Sequence, residues 1–138
     1  MAYDLKEADP SVPLKERQYV KDVSSFVSSS ITSCICLISQ TGFSTLTAVH
    51  LSLFSEDSTY ILDVKDQVLN DLVEIFGDLD ELHVVGAMDC WPDETYNNFW
   101  CALNTRFCGK VIKSQKHQEG ICRAYFIDGA LIIEFPDS

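Results

Sequence analysis

The segment from residue 31 to residue 54 most constrains the fold of this chain. It holds two stretches, Ile31 to Gln40 and Ser44 to Phe54, which are rich in the Ile, Leu, Val and Thr residues that β-strands favour. The short link Thr41-Gly42-Phe43 lies between them, and Gly42 can supply the positive φ of a tight turn. The segment therefore predicts an antiparallel hairpin with a three-residue loop.

The loop length determines which side chains face each other across this hairpin. A loop of residues 41–43 places Cys34 opposite His50 and Cys36 opposite Ala48. Directly opposed side chains share one face, with Cβ atoms roughly 4.5–5.5 Å apart, so a thiol and an imidazole can hydrogen-bond. A register that differs by one residue would place His50 on the other face. The predicted Cys34–His50 pair therefore depends on the loop.

A cysteine beside a histidine is the arrangement of a thiol nucleophile and its base. The thiolate is the reactive form, and a neighbouring imidazolium lowers the pKa of the thiol. The serine-rich loop of residues 28–33 leads into Cys34, so the backbone N–H groups of Ser33 and Cys34 can bind an oxyanion. Two alternatives stay open at this point. The cysteines and the histidine can be ordinary interior residues of a strand pair, or a metal site, for which CxC with one histidine is a weak ligand set.

Two short motifs in this region resemble a known family. Ile31-Thr32-Ser33-Cys34, at a strand start, and Ala48-Val49-His50, on the next strand, are similar to the site motifs of the chemoreceptor glutamine deamidase CheD and of the catalytic domains of the cytotoxic necrotising factors. The resemblance covers residues 28–50. It implies a mixed β-sandwich flanked by helices and hydrolysis of a protein glutamine side chain to glutamate through a thioester.

The resemblance also implies roles for particular residues. Cys34 would be the nucleophile, His50 the general base and then acid, and Ser28, six positions before the cysteine, would orient His50. The backbone N–H groups of Ser33 and Cys34 would hold the oxyanion. No metal or organic cofactor is needed. The substrate would be a protein with a reactive glutamine, and a bacterial effector or toxin is one setting for such an activity.

The remaining pattern predicts one mixed α/β domain, a largely antiparallel β-sandwich flanked by helices. Residues 1–16 are predicted to form a flexible arm, and residues 17–138 a single deamidase-like domain. The predicted elements are a weak strand at Tyr19–Val27, a helix at Asp63–Phe76 with N-cap Asp63 and terminator Gly77, a strand at Glu81–Met88, a helix at Asp93–Phe107 with terminator Gly109, and strands at Val111–Lys113, Ile121–Ile127 and Ala130–Phe135, the last two joined by Asp128-Gly129.

Charge and cysteine content limit the classes of partner and the cellular location that we expect. Ten Lys and Arg against 21 Asp and Glu give a net charge of −11, which repels nucleic acid and anionic membranes. The amino terminus has no apolar secretory stretch, so we expect the protein to be cytosolic or to be delivered to a host cytosol by a non-classical route. We therefore expect mostly free thiols. We also expect a monomer. A second hypothesis is a non-catalytic acidic binding protein, such as an immunity protein or adaptor, whose cysteines belong to the core.

Overall fold

The computed structural model describes residues 5–31, 34–52, 67–87, 91–113 and 120–135. The helices and strands in these ranges are β1 (Lys6–Glu7), β2 (Gln18–Val23), β3 (Phe26–Val27), β4 (Ile35–Gln40), β5 (Leu46–Leu51), α1 (Val68–Phe76), β6 (Leu82–Gly86), α2 (Asp93–Arg106), β7 (Val111–Lys113), β8 (Arg123–Ile127) and β9 (Ala130–Glu134).

The strands form two sheets. The larger has the order β1-β2-β5-β4-β6-β7, and the smaller has the order β3-β8-β9. Pairing is antiparallel except between β1 and β2 and between β6 and β7. The central strands β4 and β5 are buried on both faces, as expected for strands that are covered from both sides.

The described helices and strands form three layers, with the larger sheet in the middle. Alternate residues of β4 and β5 point to opposite faces. Ile35, Leu37, Val49 and Leu51 pack with α1 and α2 in one core, whereas Cys36, Ile38 and Ala48 pack toward the smaller sheet in a second core. The predicted class, a mixed α/β fold with a largely antiparallel sandwich flanked by helices, is confirmed.

The predicted register of the β4–β5 hairpin is wrong. Gln40 pairs with Leu46, Ile38 with Ala48 and Cys36 with His50, so the connection spans five residues rather than three. The N–H of Thr41 donates to the carbonyl of Thr45 at 2.9 Å, and the two threonine hydroxyls lie 3.0 Å apart. This side-chain bond closes the longer loop, in which Gly42 does not have the positive φ that the sequence suggested.

Two turn signals in the sequence are confirmed. Asp128 and Gly129 both have positive φ, at 51° and 80°, and join β8 to β9 as a two-residue hairpin. Gly77 ends α1 with φ 60°, and its N–H donates to the carbonyl of Val73. The predicted N-cap Asp63 lies outside the described residues.

The amino-terminal part of the chain packs against both sheets. Residues 5–16 lie within the predicted arm, yet β1 pairs with β2 and Leu14 is 1% exposed in the second core. The weak strand predicted at residues 19–27 is two strands in different sheets, since β2 joins the larger sheet and β3 the smaller. The bend between them carries the chain from one layer to the other.

Neither helix in the described part of the chain is long and apolar enough to cross a membrane.

Candidate active site

His50 lies on the face of β5 that looks toward the smaller sheet, and its side chain is completely buried. Its Nδ1 is 2.9 Å from the carbonyl oxygen of Leu14. A carbonyl only accepts, so Nδ1 carries the proton and Nε2 carries the lone pair. Nε2 is buried and has no hydrogen-bond partner in the described structure. The imidazole is thus held as a neutral base with its accepting nitrogen unused.

Burial is the main cause of a lowered pKa at His50, because the imidazolium loses its hydration. The Leu14 carbonyl and the carboxylate of Glu16 oppose the shift, and the guanidinium of Arg17 adds to it. The segment that carries Leu14, Glu16 and Arg17 is fixed on β5 by two hydrogen bonds from Arg17. The N–H of Arg17 donates to the carbonyl of His50 at 2.7 Å, and the Arg17 guanidinium donates to the Ser52 hydroxyl at 2.7 Å. His50 is therefore neutral at pH 7.

The five-residue loop places Cys36, not Cys34, directly opposite His50. Cys36 is completely buried, and a hydrogen bond with the Cys122 thiol raises its pKa, as do burial and the charges that Cys122 and Cys34 would carry as thiolates. A thiol with a raised pKa stays protonated and is a poor nucleophile. Cys36 is therefore a core residue beside the histidine.

Cys34 is on the same face of the hairpin as His50, diagonally across from it, and precedes the first residue of β4. It is 3% exposed. Its carbonyl accepts the N–H of Ala87 at 2.9 Å, which ties it to the end of β6. Gly86 makes this approach possible: a Cβ there would lie 2.6 Å from the Cys34 carbonyl oxygen. The backbone of Cys34 is thus fixed by the neighbouring strand.

Ser28 is buried and makes two hydrogen bonds with the backbone of Cys122. Its hydroxyl accepts the Cys122 N–H at 2.9 Å, and its own N–H donates to the Cys122 carbonyl at 2.8 Å. The atom that orients His50 is the carbonyl of Leu14, which also accepts the N–H of Ser29 at 2.8 Å. Sequence reasoning missed this partner because a backbone carbonyl has no side-chain signature. Ser33, predicted to help bind the oxyanion, lies outside the described residues.

His83 and Trp91 lie elsewhere in the structure. His83 on β6 is half-buried, with its Nε2 4.0 Å from a Glu81 carboxylate oxygen. Burial lowers its pKa, and Glu81 opposes the shift. Trp91 covers the helix-side core, with its ring 5.5 Å from that of Phe99. His117 and Cys90 lie outside the described residues. Within the described ranges no group of three or more potential ligands could hold a metal ion.

No family model, curated protein or solved structure matches this chain.

Proposed function

We propose that the protein is a cysteine-dependent amide hydrolase that converts a glutamine side chain of a partner protein to glutamate. One observation carries the proposal: the buried, unpartnered Nε2 of His50, on the face of the sheet that also holds Cys34. A buried nitrogen without a partner is unfavourable in a merely structural histidine. It is what a general base requires, provided that a proton donor lies nearby during the reaction.

Cys34 is the nucleophile in this proposal. Its thiol gives its proton to Nε2 of His50, and the thiolate attacks the amide carbon of the glutamine side chain. A C–S bond forms and, when the tetrahedral intermediate collapses, the C–N bond breaks. The imidazolium returns the proton to the leaving nitrogen, which departs as ammonia.

Water completes the cycle. His50 takes a proton from a water molecule, whose oxygen attacks the thioester carbon, and the C–S bond breaks. His50 returns this proton to the departing sulfur, so the products are the glutamate side chain and the Cys34 thiol. Throughout, the Leu14 carbonyl accepts a hydrogen bond from the Nδ1–H of His50 and so stabilises the imidazolium. Ser28 acts indirectly: its hydroxyl does not orient His50 but fixes the backbone of Cys122 behind the site.

The second candidate function is a non-catalytic acidic binding protein. The observation that favours it is the burial of Cys34, Cys36, Cys122 and His50, none of which is more than 3% exposed. In that case the thiols and the imidazole fill the second core, and the charge of −11 is the functional feature.

Selective alkylation separates the two candidates. Iodoacetamide is added to the native protein at pH 6.5, and peptide mapping by mass spectrometry gives the rate at each cysteine. The hydrolase proposal predicts that Cys34 reacts faster than the exposed Cys101 and Cys108, and that His50→Gln removes this advantage because the base is lost. A Cys34 that is protected until the protein unfolds would contradict it.

Ammonia release tests the reaction itself. An N-blocked glutaminylglycine dipeptide is the probe, and a glutamate dehydrogenase assay measures ammonia. We expect wild-type activity to be lost in Cys34→Ser and retained in Cys36→Ser, the matched variant two residues away. Equal activity of Cys34→Ser and wild type, with both folded, would overturn the role of Cys34.

A further inference from the structure

A groove lies at the end of the larger sheet opposite to Cys34. The loop between β4 and β5, the start of β6 and part of β9 enclose a cleft of about 580 Å³. A second cleft of about 550 Å³, beside the carboxyl end of α1, shares Gln40, Thr41 and Asp80 with the first. The two clefts adjoin at these residues, and together we call them the hairpin-end groove.

Phe43 forms an aromatic wall of this groove. Its side chain is 78% exposed, the most exposed of the large apolar side chains that the structure describes. The ring lies against Gly129 so closely that a Cβ there would be 2.6 Å from a ring carbon. The side-chain amide of Gln40 donates to the carbonyl of Gly42 at 2.9 Å and to that of Gly129 at 3.2 Å. These bonds hold the ring in place although most of it faces solvent.

The groove is strongly acidic. Asp80 and Glu81 lie in the cleft with Phe43, and the second cleft adds three carboxylates and two lysines. The ammonium group of Lys110, one of those lysines, donates a hydrogen bond to the carbonyl of Leu79 at 2.9 Å. Asp80 makes no ion pair within the described ranges. Negative charge therefore dominates beside an open aromatic face.

We infer that the hairpin-end groove docks an arginine-bearing segment of a partner protein, with a guanidinium stacked on Phe43 and paired with Asp80. Arginine fits better than lysine, because its planar guanidinium stacks on an aromatic ring and binds a carboxylate through two N–H groups. The complementary charges also favour a basic partner. This inference does not depend on the proposed hydrolase, since Cys34 and His50 lie at the other end of β4 and β5.

Fluorescence anisotropy tests the inference with the full chain and a fluorescein-labelled peptide of alternating arginine and glycine. We expect saturable binding that is weaker for the matched lysine peptide. Phe43→Ala should raise the Kd about two- to fivefold, the effect of losing one exposed cation–π contact, and Phe43→Trp should preserve binding. Because Phe43 is exposed, neither substitution should change Tm.

A matched charge pair separates docking from general attraction to an acidic protein. Asp80→Asn and Asp93→Asn each remove one exposed carboxylate, but Asp93 lies on α2 and outside the groove. The inference requires Asp80→Asn to weaken binding clearly more than Asp93→Asn. Equal effects of the two substitutions, or no effect of Phe43→Ala, would overturn it.

Discussion

At the scale of single residues, His50 combines a fixed hydrogen bond with full burial. The Leu14 carbonyl sets the tautomer, and burial lowers the pKa. The imidazole is therefore neutral in the folded protein at pH values where an exposed histidine is already protonated. This residue therefore links folding to pH.

The sign of this linkage gives a stability prediction. The folded-state pKa of His50 lies below its ordinary value of 6.5, so as the pH falls through about 6.5 the unfolded chain takes up the proton first. Stability contributed by neutral His50 is thus present above this pH and is lost as the pH falls toward the folded-state pKa. Urea denaturation at pH 7.5 and 5.5 should show a smaller pH effect for His50→Gln than for wild type.

His83→Gln is the comparison variant, since the pKa of His83 is lowered in the same direction but the residue is only half-buried. His83→Gln should reduce the difference in unfolding free energy between pH 7.5 and 5.5 by less than His50→Gln does. An unchanged pH effect in His50→Gln would show that His50 does not have a lowered pKa.

At the scale of elements, the close contact between the end of β6 and the start of β4 depends on one glycine. Gly86 has φ 128°, a conformation that side chains with a Cβ rarely adopt. An added Cβ would also lie 2.9 Å from the Cα of Ile35. Both features keep the two strands together next to Cys34.

Gly86→Ala should therefore destabilise the protein by more than the roughly 1–3 kcal/mol typical of a strained backbone, because a steric clash is added. Gly77→Ala is the control: it also has positive φ, but nothing lies within 4 Å of the new Cβ. Urea denaturation of both variants measures the difference. Equal losses of stability would mean that the approach of β6 to β4 is not tight.

The comparison of sequence with structure shows where pattern reasoning succeeds at this scale. Apolar runs and turn residues predicted the β4–β5 hairpin, the end of α1 at Gly77 and the Asp128-Gly129 turn, because these depend on local conformational preference. The hairpin register was missed because a bond between Thr41 and Thr45 closes a longer loop. The Leu14 and Cys122 contacts were missed because they join residues far apart in the chain.

At the scale of the whole molecule, burial separates Cys36 and Cys122 from Cys101 and Cys108. Cys36 and Cys122 meet between the sheets and are completely buried, whereas Cys101 on α2 and Cys108 after it are exposed. In the native protein Cys101 and Cys108 should react with a thiol reagent, while Cys36 and Cys122 should react only at the rate of unfolding.

Peptide mapping after a timed pulse of N-ethylmaleimide, with and without urea, checks this division. Cys101→Ser and Cys108→Ser assign the signals of these two exposed cysteines. Rapid labelling of Cys122 in the native protein would contradict the packing of the smaller sheet on the larger one.

The pairing of β3 with β8 has a consequence for synthesis of the protein. Phe26 pairs with Ala124, so two strands of the smaller sheet come from opposite ends of the chain. On the ribosome, β2 to β6 emerge before β8 does, and until then the sheet face that carries Cys36, Ile38 and Ala48 lacks the part of its cover that β8 and β9 supply. The nascent chain therefore exposes part of an apolar sheet face until β8 has emerged, an interval in which a chaperone would shield the same surface that the smaller sheet later covers.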